Sequence, residues 1–245
     1  GDATEDALKE LEQKCRMIAQ TADCAVGVVG AQLILDSLTE FADEYESHIN
    51  KKRCVENTTQ TIPCVTLCPA HVDVPGYIAC IKGGDYEGAI KVIRDRNPFP
   101  TACAMVCEHP CENKCRRSLI DASINIRGLK KYAVDQVTAD AVKTPHGNVS
   151  TGKRIAIVGG GPAGLTAAYF LSLMGHEAVV YEEHEKLGGM LRYGIPEYRL
   201  PKERLDQDID AILKAGDIKV KYRTKVGRDV SFEEVKEQYD AVYIG

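Results

Sequence analysis

A strand, a glycine turn and a helix follow one another around residue 160, seven cysteines cluster within 62 residues upstream, and helix-period apolar residues precede those. Together they predict a Rossmann-type α/β fold on a parallel sheet, incomplete as read here, preceded by an all-α cysteine-rich domain and a small helical segment. A length of 245 residues accommodates this division. The expected boundaries are 1–53 for the helical segment, 54–144 for the cysteine domain, 145–152 for a linker and 153–245 for the α/β domain.

Composition narrows the function classes. With 44% hydrophobic and 27% charged residues the chain is ordinary for a globular protein. No apolar run approaches the roughly 18 residues of a membrane span. A net charge of −5 with interspersed signs gives no basic stripe for phosphates, which argues against nucleic-acid binding. The first residues are acidic and lack the apolar stretch of a signal peptide, so a cytoplasmic location is expected. Clustered cysteines in a reducing compartment point to metal or redox chemistry rather than disulfides.

In the first segment Thr4 can cap a helix whose apolar face carries Leu8, Leu11, Cys15 and Ile18. A break is expected at Gly27–Gly30, then a second helix through Leu33, Leu38, Phe41, Tyr45 and Ile49. Cys15 and Cys80 read as core positions. Asp240–Gly245 reads as a strand entering a turn, which suggests a piece of a longer polypeptide.

The cysteine zone holds Cys54, Cys64, Cys68, Cys103, Cys107, Cys111 and Cys115. A spacing of four would align the last four on one helical face, but Pro110 would break such a helix. Zinc is a second reading, since His109 lies between Cys107 and Cys111. The Cys68-Pro69 step favours iron-sulfur, because thiolates hold such clusters in loops, whereas zinc motifs show close pairs.

Lys153–Val158 reads as the strand before Gly159-Gly-Gly-Pro-Ala-Gly164. Gly159 permits the turn, Gly161 lets backbone approach a pyrophosphate, and Gly164 allows close helix-strand packing. Pro162 and Ala163 open the helix whose N-terminus receives the phosphates. The strand Ala178–Tyr181 ends in Glu182, placed to accept from a ribose hydroxyl; its charge disfavours a 2′-phosphate and hence NADP at this site. Lys202–Ala215 reads as a helix with Leu205, Ile209 and Ile212 on one face.

FAD and NAD share this fingerprint. Glu182–Leu191, with Gly188-Gly189, and Tyr193-Gly-Ile-Pro-Glu-Tyr-Arg-Leu-Pro201 resemble the flavin-binding portion of the glutamate synthase small-subunit family and its pyridine-nucleotide disulfide oxidoreductase relatives. The resemblance implies FAD, with Gly188, Gly189 and Arg199 among its contacts.

Cys68–Ile78, Gly84–Ile90, Asn97–Pro100, Cys107–Cys115 and Ile124–Leu129 resemble the N-terminal cluster domain of the same family, a domain that dihydropyrimidine dehydrogenase also carries. That implies two interleaved 4Fe-4S clusters. One would take upstream cysteines, here Cys54, with Cys64 and Cys115; the other would take Cys68, Cys107, Cys111 and a Gln or Glu from the following helix. Cys103 matches a non-ligand position. Two departures stand out. Only Cys54 precedes Cys64 where the family has two cysteines, and Lys130 occupies the Gln or Glu position, where an ammonium cannot ligate iron. Whether one cluster or two form, and whether Cys103 is recruited, stays open.

Gly1–Leu8, Thr21–Cys24 and Phe41–Ile49 resemble the C-terminal region of the NADH-oxidising flavoprotein subunit of respiratory complex I. There the cysteine matching Cys24 is the last ligand of a 4Fe-4S cluster whose other ligands lie upstream. Joined, the resemblances imply an electron-transfer subunit of a multisubunit NAD(P)H oxidoreductase, electron-bifurcating in one version, with other redox subunits as partners. Its nicotinamide-binding portion would lie outside this sequence, so the chain alone would relay electrons without turning over NAD(P)H. A glutamate synthase small subunit and a zinc-stapled assembly module are the alternatives. No acid-base or nucleophilic catalytic residue is expected.

Overall fold

The computed structural model describes residues 4–50, 62–143 and 149–245. Two compact units result, Gly1–Thr61 and Ile62–Gly245. Cys54 lies outside the described residues, as do residues 144–148, which hold the first half of the expected linker.

In the first unit, α1 (Glu5–Thr21) starts at Thr4, whose hydroxyl accepts the Ala7 N–H at 3.2 Å. The helix α2 (Ala25–Glu40) runs through Gly27–Gly30, contrary to the expected break, and ends at Phe41, before α3 (Ala42–Asn50). Gly27 is tolerated inside the helix because a β-carbon there would sit 3.0 Å from the Ala22 β-carbon, in the tight turn joining α1 to α2. Close approach of the two helices outweighs the ~1 kcal/mol by which glycine weakens a helix. Past Phe41 the chain bends 72°, and the Tyr45 hydroxyl meets that of Ser37 at 2.9 Å across the corner. No single described helix is long and apolar enough to cross a membrane; α2 and α3 reach that composition only as a bent pair.

The second unit begins with short helices and loops: α4 (Pro63–Thr66), α5 (Val74–Lys82), α6 (Tyr86–Arg94), α7 (Pro100–Val106) and α8 (Ile126–Gln136), with 3₁₀ turns at Pro110–Glu112, Arg116–Leu119 and Ala139–Ala141. Asp73, Asp85 and Asn125 cap α5, α6 and α8 by accepting the N–H three residues on, each time that of a glycine. Tyr77, Ile93 and Ala133 form the centre of this layer, with Cys111 at its edge and Cys64, Cys68 and Cys80 packed against it. Cys15 is buried in α1. The helix α7 stops at Val106 and Pro110 opens a separate 3₁₀ turn, leaving Cys103 on α7, Cys107 at its C-terminus, and Cys111 and Cys115 on turns.

The sheet follows: β1 (Arg154–Val158), α9 (Pro162–Leu173), β2 (Glu177–Tyr181), α10 (Gly189–Tyr193), α11 (Lys202–Leu213), β3 (Ile218–Lys221), α12 (Phe232–Gln238) and β4 (Ala241–Ile244). All four strands are parallel, in the order β3-β2-β1-β4. The strand expected at 240–244 is β4, paired to β1 through Ile155–Val158. The helical layer and the sheet share one core: Phe99 and Ala102 pack with Ile157, Leu165, Leu205, Ile209 and Ile212. Leu205, Ile209 and Ile212 line the buried face of α11 as their spacing predicts.

Candidate functional site

The turn between β1 and α9 forms one wall of a cleft of about 500 Å³, lined by Gly159–Ala163, Glu182–His184, Gly189, Met190 and Tyr193, with Lys225 on the far side. Each glycine meets a different demand. Gly159 has φ of 104°, and a β-carbon there would lie 2.7 Å from the Gly245 carbonyl oxygen. At Gly164 a β-carbon would come within 2.0 Å of the Gly159 oxygen, so this glycine sets the approach of α9 to the turn. Gly161 faces only the α-carbon of Gly189, 3.8 Å from where its β-carbon would be, and its half-buried backbone lines the cleft.

Gly188 and Gly189 close the cleft from the other side. Gly188 has φ of 120° and donates its N–H to the Gly160 oxygen at 2.8 Å; a β-carbon on Gly189 would lie 2.8 Å from Gly161. The two glycine turns touch backbone to backbone.

Glu182 ends β2 as expected and is only 4% exposed. One carboxylate oxygen accepts the Gly160 N–H at 2.8 Å and the other the His184 N–H at 2.8 Å. Each oxygen keeps a further lone pair for a hydroxyl. Gly160 was not among the residues read from the sequence. It belongs to the site because a side chain there would collide with Leu187 and the Glu182 carboxylate. Three consecutive glycines where the fingerprint requires two were the available signal.

Arg199 is exposed and is not brought to this cleft. It lines a second one, of about 400 Å³, with Met105, Asn125, Arg127, Lys131 and Tyr198. That cleft lies where the helical layer meets the segment before α11.

The thiols lie in two neighbourhoods. Cys64 is pushed up by burial, and the Cys115 thiol adds to that. Burial pushes Cys111 up to about 11, with Cys107 and Cys68 adding to it and the Lys130 ammonium opposing. Cys107 runs the other way, down to about 5, chiefly through a hydrogen bond from the Cys103 thiol, aided by the His109 N–H at 3.2 Å and by Lys130. Cys103 is correspondingly pushed up. Burial pushes the Tyr77 hydroxyl up, and Cys111, Cys103, Cys68 and Cys64 add to that. Crowded thiolates in a half-buried layer oppose one another's ionisation, and a multiply charged metal centre would relieve this. Such a donor set would suit a thiolate-held cluster; Cys64 interacts with Cys115, and Cys111 with Cys107 and Cys68. His109 has a left-handed backbone and turns Nδ1 toward Glu112, 3.5 Å from the nearer oxygen. Among the described residues no three His, Cys, Asp or Glu side chains converge on a single-ion site. Cys24 is exposed at the N-terminus of α2, in the first unit.

Helix α11 ties the two sites together. Asp208, fully buried, accepts the N–H groups of Thr101 and Ala102 in the first turn of α7, and Arg204 donates to the Val134 carbonyl at the end of α8 at 2.7 Å.

Three family models match successive, partly overlapping stretches of the chain. The family model described as dihydropyrimidine dehydrogenase domain II, 4Fe-4S cluster, matches residues 31–142, that of an NAD(P)-binding Rossmann-like domain matches 157–215, and that of the NADH-ubiquinone oxidoreductase-F iron-sulfur binding region matches 1–48. The chain is 36% identical over its full length to the NADPH-Fe(3+) oxidoreductase subunit beta of Geobacter sulfurreducens, covering 37% of that protein. It is 40% identical, over 75% of its length, to 29% of the NADP(+)-dependent formate dehydrogenase subunit beta of Moorella thermoacetica. It is 39% identical, over 86% of its length, to 51% of the NAD-dependent dihydropyrimidine dehydrogenase subunit PreT of Salmonella typhimurium. The chain thus spans about a third to a half of these relatives. The fold is a helical 4Fe-4S domain followed by a Rossmann-like NAD(P)-binding region.

Proposed function

We propose that this chain is the cluster-and-flavin portion of an electron-transfer subunit in a multisubunit NAD(P)H-dependent oxidoreductase. FAD occupies the cleft between the two glycine turns, its pyrophosphate over Gly161 and the N-terminus of α9, its ribose on Glu182 and its further contacts on Gly188 and Gly189. Arg199, which lines the second cleft, is a flavin contact only by the resemblance. Cys64 and Cys115 hold one 4Fe-4S cluster together with Cys54; Cys68, Cys107 and Cys111 hold another. Cys24 ligates a third with cysteines outside this sequence. Nicotinamides move two electrons as hydride and clusters move one, so the flavin is the converter between them. The nicotinamide, the other redox subunits and any bifurcating step belong to the larger assembly.

The observation that carries this reading is that a dinucleotide cleft and a thiol-rich layer share one core and one clamping helix. The relatives, all subunits of NAD- or NADP(H)-linked oxidoreductases by name, point the same way. Family matches to 4Fe-4S modules and to an NAD(P)-binding region support the cofactor classes. FAD is favoured over a resident nicotinamide because Glu182–Leu191 and Tyr193–Pro201 resemble the flavin-binding portion of the glutamate synthase small-subunit family; the closure of Gly188-Gly189 on the fingerprint turn is compatible with either cofactor. The test is anaerobic reconstitution with iron, sulfide and FAD, followed by reduction of the flavin with light and a sacrificial donor. Appearance of a reduced-cluster electron paramagnetic resonance (EPR) signal as flavin reoxidises supports the relay; reduced flavin that persists beside oxidised clusters argues against it.

A further inference from the structure

Lys130, on α8, is 6% exposed and stands in the wall of the thiol layer. Its Nζ donates to Cys103 Sγ at 3.2 Å and lies 5.8 Å from the centre of the Tyr77 ring. Among the described residues it makes no ion pair with a carboxylate. Asp135, the acid of the same helix, pairs with Lys131 and Arg204 instead. A buried ammonium with no anion is costly, by several kcal/mol even after relaxation. What meets this one is sulfur, the Cys103 Sγ, one helical turn before Cys107. An ammonium has no lone pair to give iron.

We propose that Lys130 is a positioning residue whose ammonium is the fixed counter-charge of the cluster held by Cys68, Cys107 and Cys111, raising that cluster's reduction potential. The inference rests on the cluster reading above. A thiolate-bound cluster is anionic and gains one more negative charge when it accepts an electron from the flavin; no bond forms or breaks. A nearby cation therefore stabilises the reduced state more than the oxidised one. Cys103, between the ammonium and Cys107, holds that cation in place.

The test uses the full chain reconstituted anaerobically with iron and sulfide, as wild type, Lys130→Met and Lys130→Arg. Metal and sulfide content are measured first, then each cluster's potential by EPR-monitored titration. Lys130→Met is expected to keep its iron and to lower one potential by at least a tenfold change in the oxidised-to-reduced ratio, about 59 mV for a one-electron couple. Lys130→Arg is expected to retain most of the wild-type value. Loss of iron in Lys130→Met alone also supports the counter-charge, since the charge would then be needed for assembly. Unchanged potentials in an iron-replete Lys130→Met, or loss of iron in both variants, overturn it. Wild-type chain that takes up no iron is the separate failure of the cluster reading itself.

Discussion

Asp208 on α11 accepts the Ala102 N–H at 2.8 Å and the Thr101 N–H at 3.2 Å, so a carboxylate of the dinucleotide-binding part satisfies the first turn of the helix that carries Cys103 and leads to Cys107. Helix α7 has no side-chain cap of its own at Phe99. Its free N–H groups would otherwise be buried and unpaired, and the carboxylate from α11 fixes where the thiol layer sits on the Rossmann-like fold.

Replacing Asp208 by Ala should therefore destabilise the second unit by about 2–4 kcal/mol, from two buried donors left without acceptors. Burial also pushes the Asp208 carboxyl up from 3.8 to about 6. The folded chain then binds this proton more tightly than the unfolded chain does. The group's contribution to stability is greatest below about pH 4, declines as pH rises to about 6 and is constant above that. Urea melts from pH 4 to 7 should reveal that slope in the wild type and its loss in Asp208→Asn.

The second and third glycines of the fingerprint, Gly161 and Gly164, should separate folding from binding. Gly164→Ala puts a β-carbon 2.0 Å from the Gly159 oxygen and should lower the melting temperature markedly. Gly161→Ala meets only ordinary contact with the protein, so stability should stay within about 1 kcal/mol while FAD affinity drops tenfold or more. Paired thermal melts and flavin titrations check both.

Glu182→Gln should weaken flavin binding by about 1.5–3 kcal/mol, roughly 10- to 100-fold, the range for a hydrogen bond to a charged group. Both carboxylate oxygens already accept backbone N–H groups, and an amide can replace only one of them. Equilibrium dialysis with FAD measures the loss; unchanged affinity would remove Glu182 from the site.

Much of this was legible because it follows from short-range rules. The Gly159–Gly164 turn, Glu182 at the end of β2, the face of α11 and the absence of one continuous helix across Pro110 all follow from local sterics or periodicity. The Gly27–Gly30 break did not materialise because the packing of α1 on α2 favours glycine inside the helix. Asp208 was hidden in plain view: Leu205, Asp208, Ile209 and Ile212 share one helical face, and an acid inside an apolar stripe marks a buried partner. That its partner is the backbone of residues 101 and 102 is a long-range fact that no local pattern carries. Lys130 could be read as a departure from a ligand position, but its contact with Cys103 depends on how α7 meets α8.

Cys64 and Cys115 should belong to one cluster and Cys68 and Cys111 to the other. Cys115→Ser and Cys111→Ser should each reduce iron content, and each should abolish a different EPR signal in the reduced protein. Identical residual spectra from the two variants would count against separate neighbourhoods.

The most direct measurement of the central claim is the cofactor content of the full chain after anaerobic reconstitution with iron, sulfide, zinc and FAD offered together. The account predicts bound FAD near one per chain, iron and sulfide in equal amounts and at least one 4Fe-4S signal on reduction. Zinc in place of iron, with no flavin retained, would contradict it.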